Sequence, residues 1–281
     1  MQGKVVVITG GTSGIGQVAA EQLAGMGARI VLVARDKARG ESTLARLRGI
    51  APGQAHTIHY ADLSRLAEMK RVAGEIAAAE QRIDVLMNNA GAIFFERRVT
   101  EDGLEMTFAL NHMSYFVLAQ GLRDRLVASA PSRIINTSSR AHVRGQLDFG
   151  DLQSAHGYAG FKAYGLSKLL NILCTRELAR RLAGTGVTAN SLHPGFVATR
   201  FGDDGGAPVS SGILRVLKVF AMTPEKGAQT LVYLASSGDV AATTGEYFYN
   251  AKPVKPSSAA QDDEAARRLW EISARLAGFP A

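Results

Sequence analysis

Thr9-Gly10-Gly11-Thr12-Ser13-Gly14-Ile15-Gly16 is the stretch on which the fold turns. An apolar, β-branched run, Val5 to Thr9, precedes it, and a helix-like segment, Ile15 to Met26, follows. Glycines at such a junction let the backbone turn tightly and let a pyrophosphate approach without meeting a Cβ. The start of the helix would present unpaired N–H groups and the positive end of its dipole to that anion. The strand-to-helix context separates a nucleotide-binding loop from an ordinary glycine turn. The spacing Gly-x3-Gly-x-Gly differs from the common Gly-x-Gly-x2-Gly, so the loop alone names no subfamily.

Outward from the loop, the same alternation repeats. Strand-like runs are Ile30 to Val33, His56 to Tyr60, Ile83 to Met87, Arg133 to Thr137, Val187 to Leu192 and Glu246 to Tyr249. Helix-like stretches between them include Leu63 to Glu80, Gly103 to Ala128 and Tyr158 to Ala183. Most of the runs lack polar alternation, as strands buried on both faces do. The reading is an α/β, Rossmann-type doubly wound fold, with a mostly parallel seven-stranded sheet and helices on both faces. No linker or repeat divides residues 1–281, so one dinucleotide-binding and catalytic domain is expected. Residues 195–223 form a candidate substrate lid. Residues 262–277 form a C-terminal docking helix with Leu269, Ile272 and Leu276 on one face.

Composition excludes several function classes. Lys plus Arg number 32 against 25 Asp plus Glu, a net charge of +7. The basic residues reach only pairs, such as Arg97-Arg98, without interleaved aromatics, so no nucleic-acid partner is expected. One cysteine, Cys174, leaves no internal disulfide and no multi-cysteine metal site. No metal is expected. No apolar run reaches the roughly 18 residues of a membrane span. The strand-like run begins at Lys4, and no signal peptide is read before it. A cytoplasmic protein with no integral membrane segment is the expectation.

The second strand ends Val33-Ala34-Arg35-Asp36. An acidic residue here would accept from the 2′-hydroxyl of NAD. Ala34 holds that slot and Arg35 follows, and a guanidinium grips a 2′-phosphate bidentately. NADP is therefore expected. The alternative is that Arg35 is merely exposed and Asp36 serves NAD.

Tyr164 and Lys168 stand four apart on a helix-like segment and share a face. A neighbouring ammonium favours phenolate and lowers a phenol's pKa. In chain order the sequence also carries the glycine loop, Asn88-Asn89-Ala90-Gly91, Asn111, Ser138-Ser139 and Pro194-Gly195. With that conjunction the chain resembles the short-chain dehydrogenase/reductase family, in its non-extended branch, over essentially its whole length. Ser139 stands 25 residues before Tyr164 (164 − 139), a longer gap than most members have. That gap, Leu166 to Leu173, His193-Pro194-Gly195 and Arg268-Leu269-Trp270 resemble the retinol dehydrogenase-like reductases.

The resemblance implies roles. Tyr164 would be general acid/base, protonating a carbonyl oxygen as hydride arrives. Ser139 would hydrogen-bond that oxygen, with Ser138 the competing assignment. Lys168 would bind the nicotinamide ribose and depress the Tyr164 pKa. Asn111 would hold a water joining Lys168 to a proton relay, or serve a helix hydrogen bond. Gly10, Thr12, Ser13, Gly14, Ile15, Gly16, Arg35, Asp62, Leu63, Asn88, Ala90 and Gly91 would line the cofactor, as would Pro194, Gly195, Val197 and Thr199. Asp62 could instead cap a helix over Ser64 to Lys70, and Asn88-Asn89 could tie strands. His142 and His193 read as packing or turn residues.

The implied function is transfer of hydride between NADP(H) and a carbonyl or alcohol group of a hydrophobic substrate. Phe94, Phe95, Phe201 and Ile213 to Met222 would form its apolar pocket. Alternatives are a cofactor-sensing binding protein without turnover and a reductase of carbon-carbon double bonds. A homodimer or homotetramer paired through the Tyr164 helix is the assembly that the resemblance implies.

Overall fold

A computed structural model describes residues 1–195 and 223–280. Val197, Thr199, Phe201 and the apolar stretch 213–222 lie outside the described residues, as does the candidate lid apart from its end residues Gly195 and Thr223.

Strands β1 (Val5–Thr9), β2 (Arg29–Ala34), β3 (Thr57–Tyr60), β4 (Val85–Asn88), β5 (Ser132–Thr137), β6 (Val187–Leu192), β7 (Tyr247–Tyr249) and β8 (Lys252–Pro253) form one sheet in the order β3-β2-β1-β4-β5-β6-β7-β8. The first seven run parallel, and β8 returns antiparallel beside β7. The expected seven strands thus become eight. The extra one follows a two-residue turn at Asn250 and Ala251, both at positive φ (48° and 57°).

The sheet separates two cores. Val6, Ile8, Ile30 and Leu32 pack under α1 (Gly14–Gly25) and the helix α8 (Pro224–Ser236). On the other face, Val7, Val31, Leu86 and Ile134 meet α3 (Leu66–Ala79), α5 (Ser114–Gly121) and α7 (Gly160–Arg181). Each fully buried Val, Ile or Leu adds about 1.5–3 kcal/mol. Helix α2 (Lys37–Ile50) covers the β2–β3 end, capped by Asp36. Among the described residues no helix is long and apolar enough to cross a membrane.

The helical region expected over Gly103 to Ala128 is broken into parts. One turn, α4 (Met106–Phe108), leads into a π-turn at Ala109–Met113, then α5 and α6 (Arg123–Ala128). The final helix, α9 (Asp263–Ala277), packs on α7, with Leu269 buried and Ile272 partly buried against the core. Ala265, Ala266, Leu269, Trp270, Ser273, Ala274 and Ala277 are buried, whereas Leu276 is 37% exposed. Trp270 meets the Phe116 ring edge-on at 4.8 Å, and the Arg181 guanidinium lies 4.7 Å above its own ring centroid.

Candidate active site

The order in which parallel strands are added reverses between β1 and β4, which opens a crevice beyond their carboxyl ends. Gly10 (φ 65°) and Gly14 (φ 54°) take left-handed conformations in the loop. A Cβ on Gly16 would lie 2.2 Å from the Gly10 carbonyl oxygen and 2.4 Å from Asn89 Nδ2; one on Gly10 would lie 2.8 Å from Ala90 Cα. The loop is thus pressed against the β4 exit. Thr9, at the end of β1, fixes that contact, because its hydroxyl accepts the N–H groups of Asn89 and Ala90, each at 3.0 Å. The start of α1 stays open: Ser13 makes no side-chain capping bond, and the first turn has no acidic residue. Thr12, Ser13 and Gly14 reach the surface, with Ile15 buried behind them. An uncapped helix start behind a loop without Cβ atoms suits a dinucleotide pyrophosphate.

At the end of β2, Ala34 is buried and Arg35 exposed. Asp36 is engaged elsewhere. Its Oδ1 accepts the Arg39 N–H at 2.8 Å and its Oδ2 lies 3.5 Å from Arg39 Nε.

Asp62 is part-buried beyond β3, with Leu63 buried beside it. It does not cap α3. Its Oδ1 closes a local turn, accepting from Ser64 N (3.0 Å) and Ser64 Oγ (2.8 Å). The N-cap position of α3 is Arg65, and Asp102 from a distant loop accepts the Leu66 N–H at 2.8 Å. Asn88 is fully buried and ties strands, donating from Nδ2 to Asn136 Oδ1 at 2.9 Å. Ala90 and Gly91 emerge part-exposed at the crevice.

Ser139, Tyr164 and Lys168 converge at the neighbouring strand end. Tyr164 and Ser139 are hydrogen-bonded through their side chains. Ser138 turns away and donates to the Lys168 carbonyl at 2.7 Å. Lys168 is buried; its Nζ donates to the Thr137 carbonyl at 3.1 Å and lies 5.6 Å from the Tyr164 ring centroid. Asn111 sits in the π-turn. Its Nδ2 donates to the Ala92 carbonyl (2.9 Å) and to Ser167 Oγ (3.0 Å), and its Oδ1 accepts the Ala92 N–H (2.9 Å). The amide thereby clamps the 89–92 segment to α7. A Cβ on Gly91 would sit 3.1 Å from Asn111 Oδ1 and 3.4 Å from Lys168 Nζ, so a side chain here would press on both groups.

The electrostatics differ from the sequence expectation. Burial pushes the Tyr164 phenol up to about 12, and the Ser139 hydrogen bond opposes that rise. Burial pushes the Lys168 ammonium down to about 7. Desolvation therefore governs both groups. The phenol keeps its proton at neutral pH, as a proton donor must.

Phe94 is buried and Phe95 part-buried beside this cluster, and Phe95 meets the exposed Phe161 edge-on at 5.4 Å. Gly160 lets that segment pass, since its Cβ would lie 2.4 Å from the Phe94 carbonyl oxygen. Gly195 (φ 85°) follows Pro194 after β6, and its N–H bonds His193 Nδ1 at 3.2 Å. His193 stacks on Tyr249 at 4.2 Å, a packing role. Sequence reasoning passed over Tyr115, one turn beyond Asn111. Its hydroxyl is buried with no partner among the described residues, and Lys168 Nζ lies 5.5 Å from its ring centroid. The i, i+4 spacing from Asn111 is the signal that would have found it.

A dinucleotide crevice bordered by this Ser–Tyr–Lys group defines an oxidoreductase class, and the comparisons agree. The profile described as short chain dehydrogenase matches residues 4–207, and the chain belongs to that family. Within it, the chain is 42% identical to retinol dehydrogenase 13 of Homo sapiens over 284 residues, covering 99% of this chain and 86% of that protein. A crystal structure of an uncharacterized protein from Mycobacterium paratuberculosis superposes with a TM-score of 0.78 at 29% identity, covering 100% of this chain and 96% of that one. The RhlG/NADP complex from Pseudomonas aeruginosa gives 0.69 at 30% identity, covering 88% and 94%.

Proposed function

We propose that the protein is an NADP-dependent oxidoreductase that interconverts a carbonyl and an alcohol on a hydrophobic substrate, with Tyr164 as general acid/base. The observation that carries this reading is the meeting of the Ser139 and Tyr164 hydroxyls beside buried Lys168, at the end of the sheet that holds the glycine loop. The residues present fit the cofactor. Gly10, Thr12, Ser13, Gly14, Ile15 and Gly16 would hold its pyrophosphate, and Arg35 its 2′-phosphate. Asp62, Leu63, Ala90 and Gly91 would border its adenosine. Lys168, Pro194, Gly195, Val197 and Thr199 would border its nicotinamide half. When bound, the cofactor supplies the hydride.

The chain's own contribution is to place and polarise. Ser139 donates to the substrate oxygen, and Tyr164, protonated at neutral pH, delivers its proton there as negative charge develops. Lys168 holds the ribose edge and, once charged, steadies the resulting phenolate. Asn111 keeps the 89–92 segment and α7 in register. Phe94, Phe95 and Phe161 offer an apolar approach suited to a bulky aldehyde or ring ketone, and the retinol dehydrogenase relative adds retinal to the candidates. A single buried thiol, Cys174, suits work in the cytoplasm.

The test is NADPH oxidation against a panel of hydrophobic carbonyls, repeated with NADH and with Tyr164→Phe. Turnover with NADPH that falls about 10²–10⁴-fold in the variant supports the reading. NADPH binding without turnover, unchanged in the variant, would instead make the protein a sensor.

A further inference from the structure

An imidazole joins Ser139 to a segment 115 residues further along the chain than the imidazole itself. His142 lies in the short helical turn Arg140–Arg144 that Ser139 caps, and it is buried. On one side, the backbone N–H of Ser257 points at His142 Nε2, at 3.1 Å. On the other, His142 Nδ1 stands 2.8 Å from the carbonyl oxygen of Ser139. An amide N–H can only donate and a carbonyl can only accept. Nε2 therefore carries the lone pair and Nδ1 the proton, which fixes the tautomer. The Tyr247 oxygen, 3.3 Å from Nδ1, takes the weaker branch of the same proton. The charged and titratable neighbours are Arg140, His193 and Tyr247. Burial holds the His142 pKa below its usual value, so the ring is neutral at neutral pH.

We propose that His142, as its Nδ1-protonated tautomer, is a positioning residue that fixes Ser139 and ties its geometry to the Ser257 backbone. The inference rests on Ser139 being the hydroxyl that meets the substrate oxygen. Ser139 is held at two points. Its Oγ accepts the Ala141 N–H at 3.1 Å, which leaves the hydroxyl proton for the site, and its carbonyl is held by the ring. Local hydrogen bonds alone would let the Arg140–Arg144 turn rock; the bond to Ser257 anchors it to the segment that follows β8.

Ser257→Pro breaks the contact outright: Ser257 has φ −59°, which proline adopts, while the proline Cδ replaces the N–H and displaces the imidazole from it. The expected result is a fall in kcat of about three- to tenfold with KM for NADPH unchanged. In the wild type, ¹⁵N-histidine spectra should show His142 protonated at Nδ1 and bare at Nε2. His142→Asn, which keeps a donor near the Nδ1 position, should retain more kcat than His142→Gln, which keeps only the reach to Ser257. An Nε2-protonated ring, or wild-type kcat in Ser257→Pro, overturns the proposal. Tyr164→Phe, measured alongside, separates the failures. If it is inactive while Ser257→Pro equals wild type, only the His142 inference falls; if it still turns over, the functional reading falls.

Discussion

Asp36 Oδ1 accepts the backbone N–H of Arg39 at 2.8 Å, so the carboxylate nearest the adenosine end of the crevice is engaged in holding the start of α2. An Asp in that service is not aimed at a ribose 2′-hydroxyl, and under the proposed function the exposed Arg35 beside it would meet the 2′-phosphate. Arg35→Ala should weaken NADPH binding about 10–100-fold, the loss of a charge-assisted contact, while NADH binding changes little. Calorimetric titration of both cofactors checks this. Tighter NADH than NADPH binding in the wild type would refute it.

Lys168 titrates near 7 in the free protein because it is buried. Binding an anionic dinucleotide should restore its charge. Titrations in buffers of different ionisation enthalpy should then show about one proton taken up per site at pH 8 and little at pH 6. Lys168→Met should abolish the uptake. The unfolded chain binds this proton up to the ordinary lysine value, so the native state is relatively destabilised below about pH 7, and that deficit shrinks as pH rises toward 10.5. Lys168→Met should accordingly stabilise the free protein at pH 6 by about 1–4 kcal/mol while removing activity. A lower melting temperature in the variant would contradict this.

Gly16 faces the Gly10 carbonyl so closely that any Cβ collides with backbone. Gly16→Ala should lower stability by about 1–3 kcal/mol and reduce NADPH affinity through displacement of the loop. Gly49, whose Cβ would meet nothing within 4 Å, is the control, and Gly49→Ala should be neutral or slightly stabilising. Thermal melts with and without NADPH read both effects.

Along α7, every residue from Ala163 to Ala179 is buried within the single chain except Tyr164 and Arg176. Helix α9 lies across the outward side, sealed by the Arg176–Asp263 ion pair at 2.8 Å. Among the described residues this leaves α7 exposed at its ends, Phe161 and Lys162 and then Arg180 and Arg181, a small surface for the pairing that the family resemblance implied. Sedimentation should give either the 29.8 kDa monomer or an assembly in which α7 amides gain no hydrogen-exchange protection. Protection of α7 on dilution-sensitive association would count against the argument.

Ala251 holds a left-handed backbone conformation (φ 57°) in the turn before β8, which glycine adopts without strain. Ala251→Gly should raise stability by about 1 kcal/mol. Denaturant midpoints of the two proteins decide it.

What the sequence disclosed was local in kind. The glycine loop and the Tyr164-x3-Lys168 pair are written within one turn or one strand–helix junction, and the structure brings them to a common edge. The features it hid depend on distant partners. Ala251 is no turn signal by composition, so β8 went unread. Helix propensity runs on through Gly103 to Ala128, and nothing local marks the π-turn that carries Asn111. Asp102 caps α3 from 36 residues away. Of the expected α9 face, Leu269 and Ile272 pack and Leu276 does not, because close packing against α7 also selects the small residues Ala266, Ser273, Ala274 and Ala277. Burial likewise reversed the sign expected for Tyr164, an effect no spacing rule contains.

Trp270 is the only tryptophan in the chain, and it is wedged between Phe116 and Arg181 where α9 meets the body. Emission excited selectively through the indole, apart from the seven tyrosines, is therefore a signal from one seam. A denaturation curve followed by that emission records the detachment of the last helix, while circular dichroism records the melting of the secondary structure as a whole.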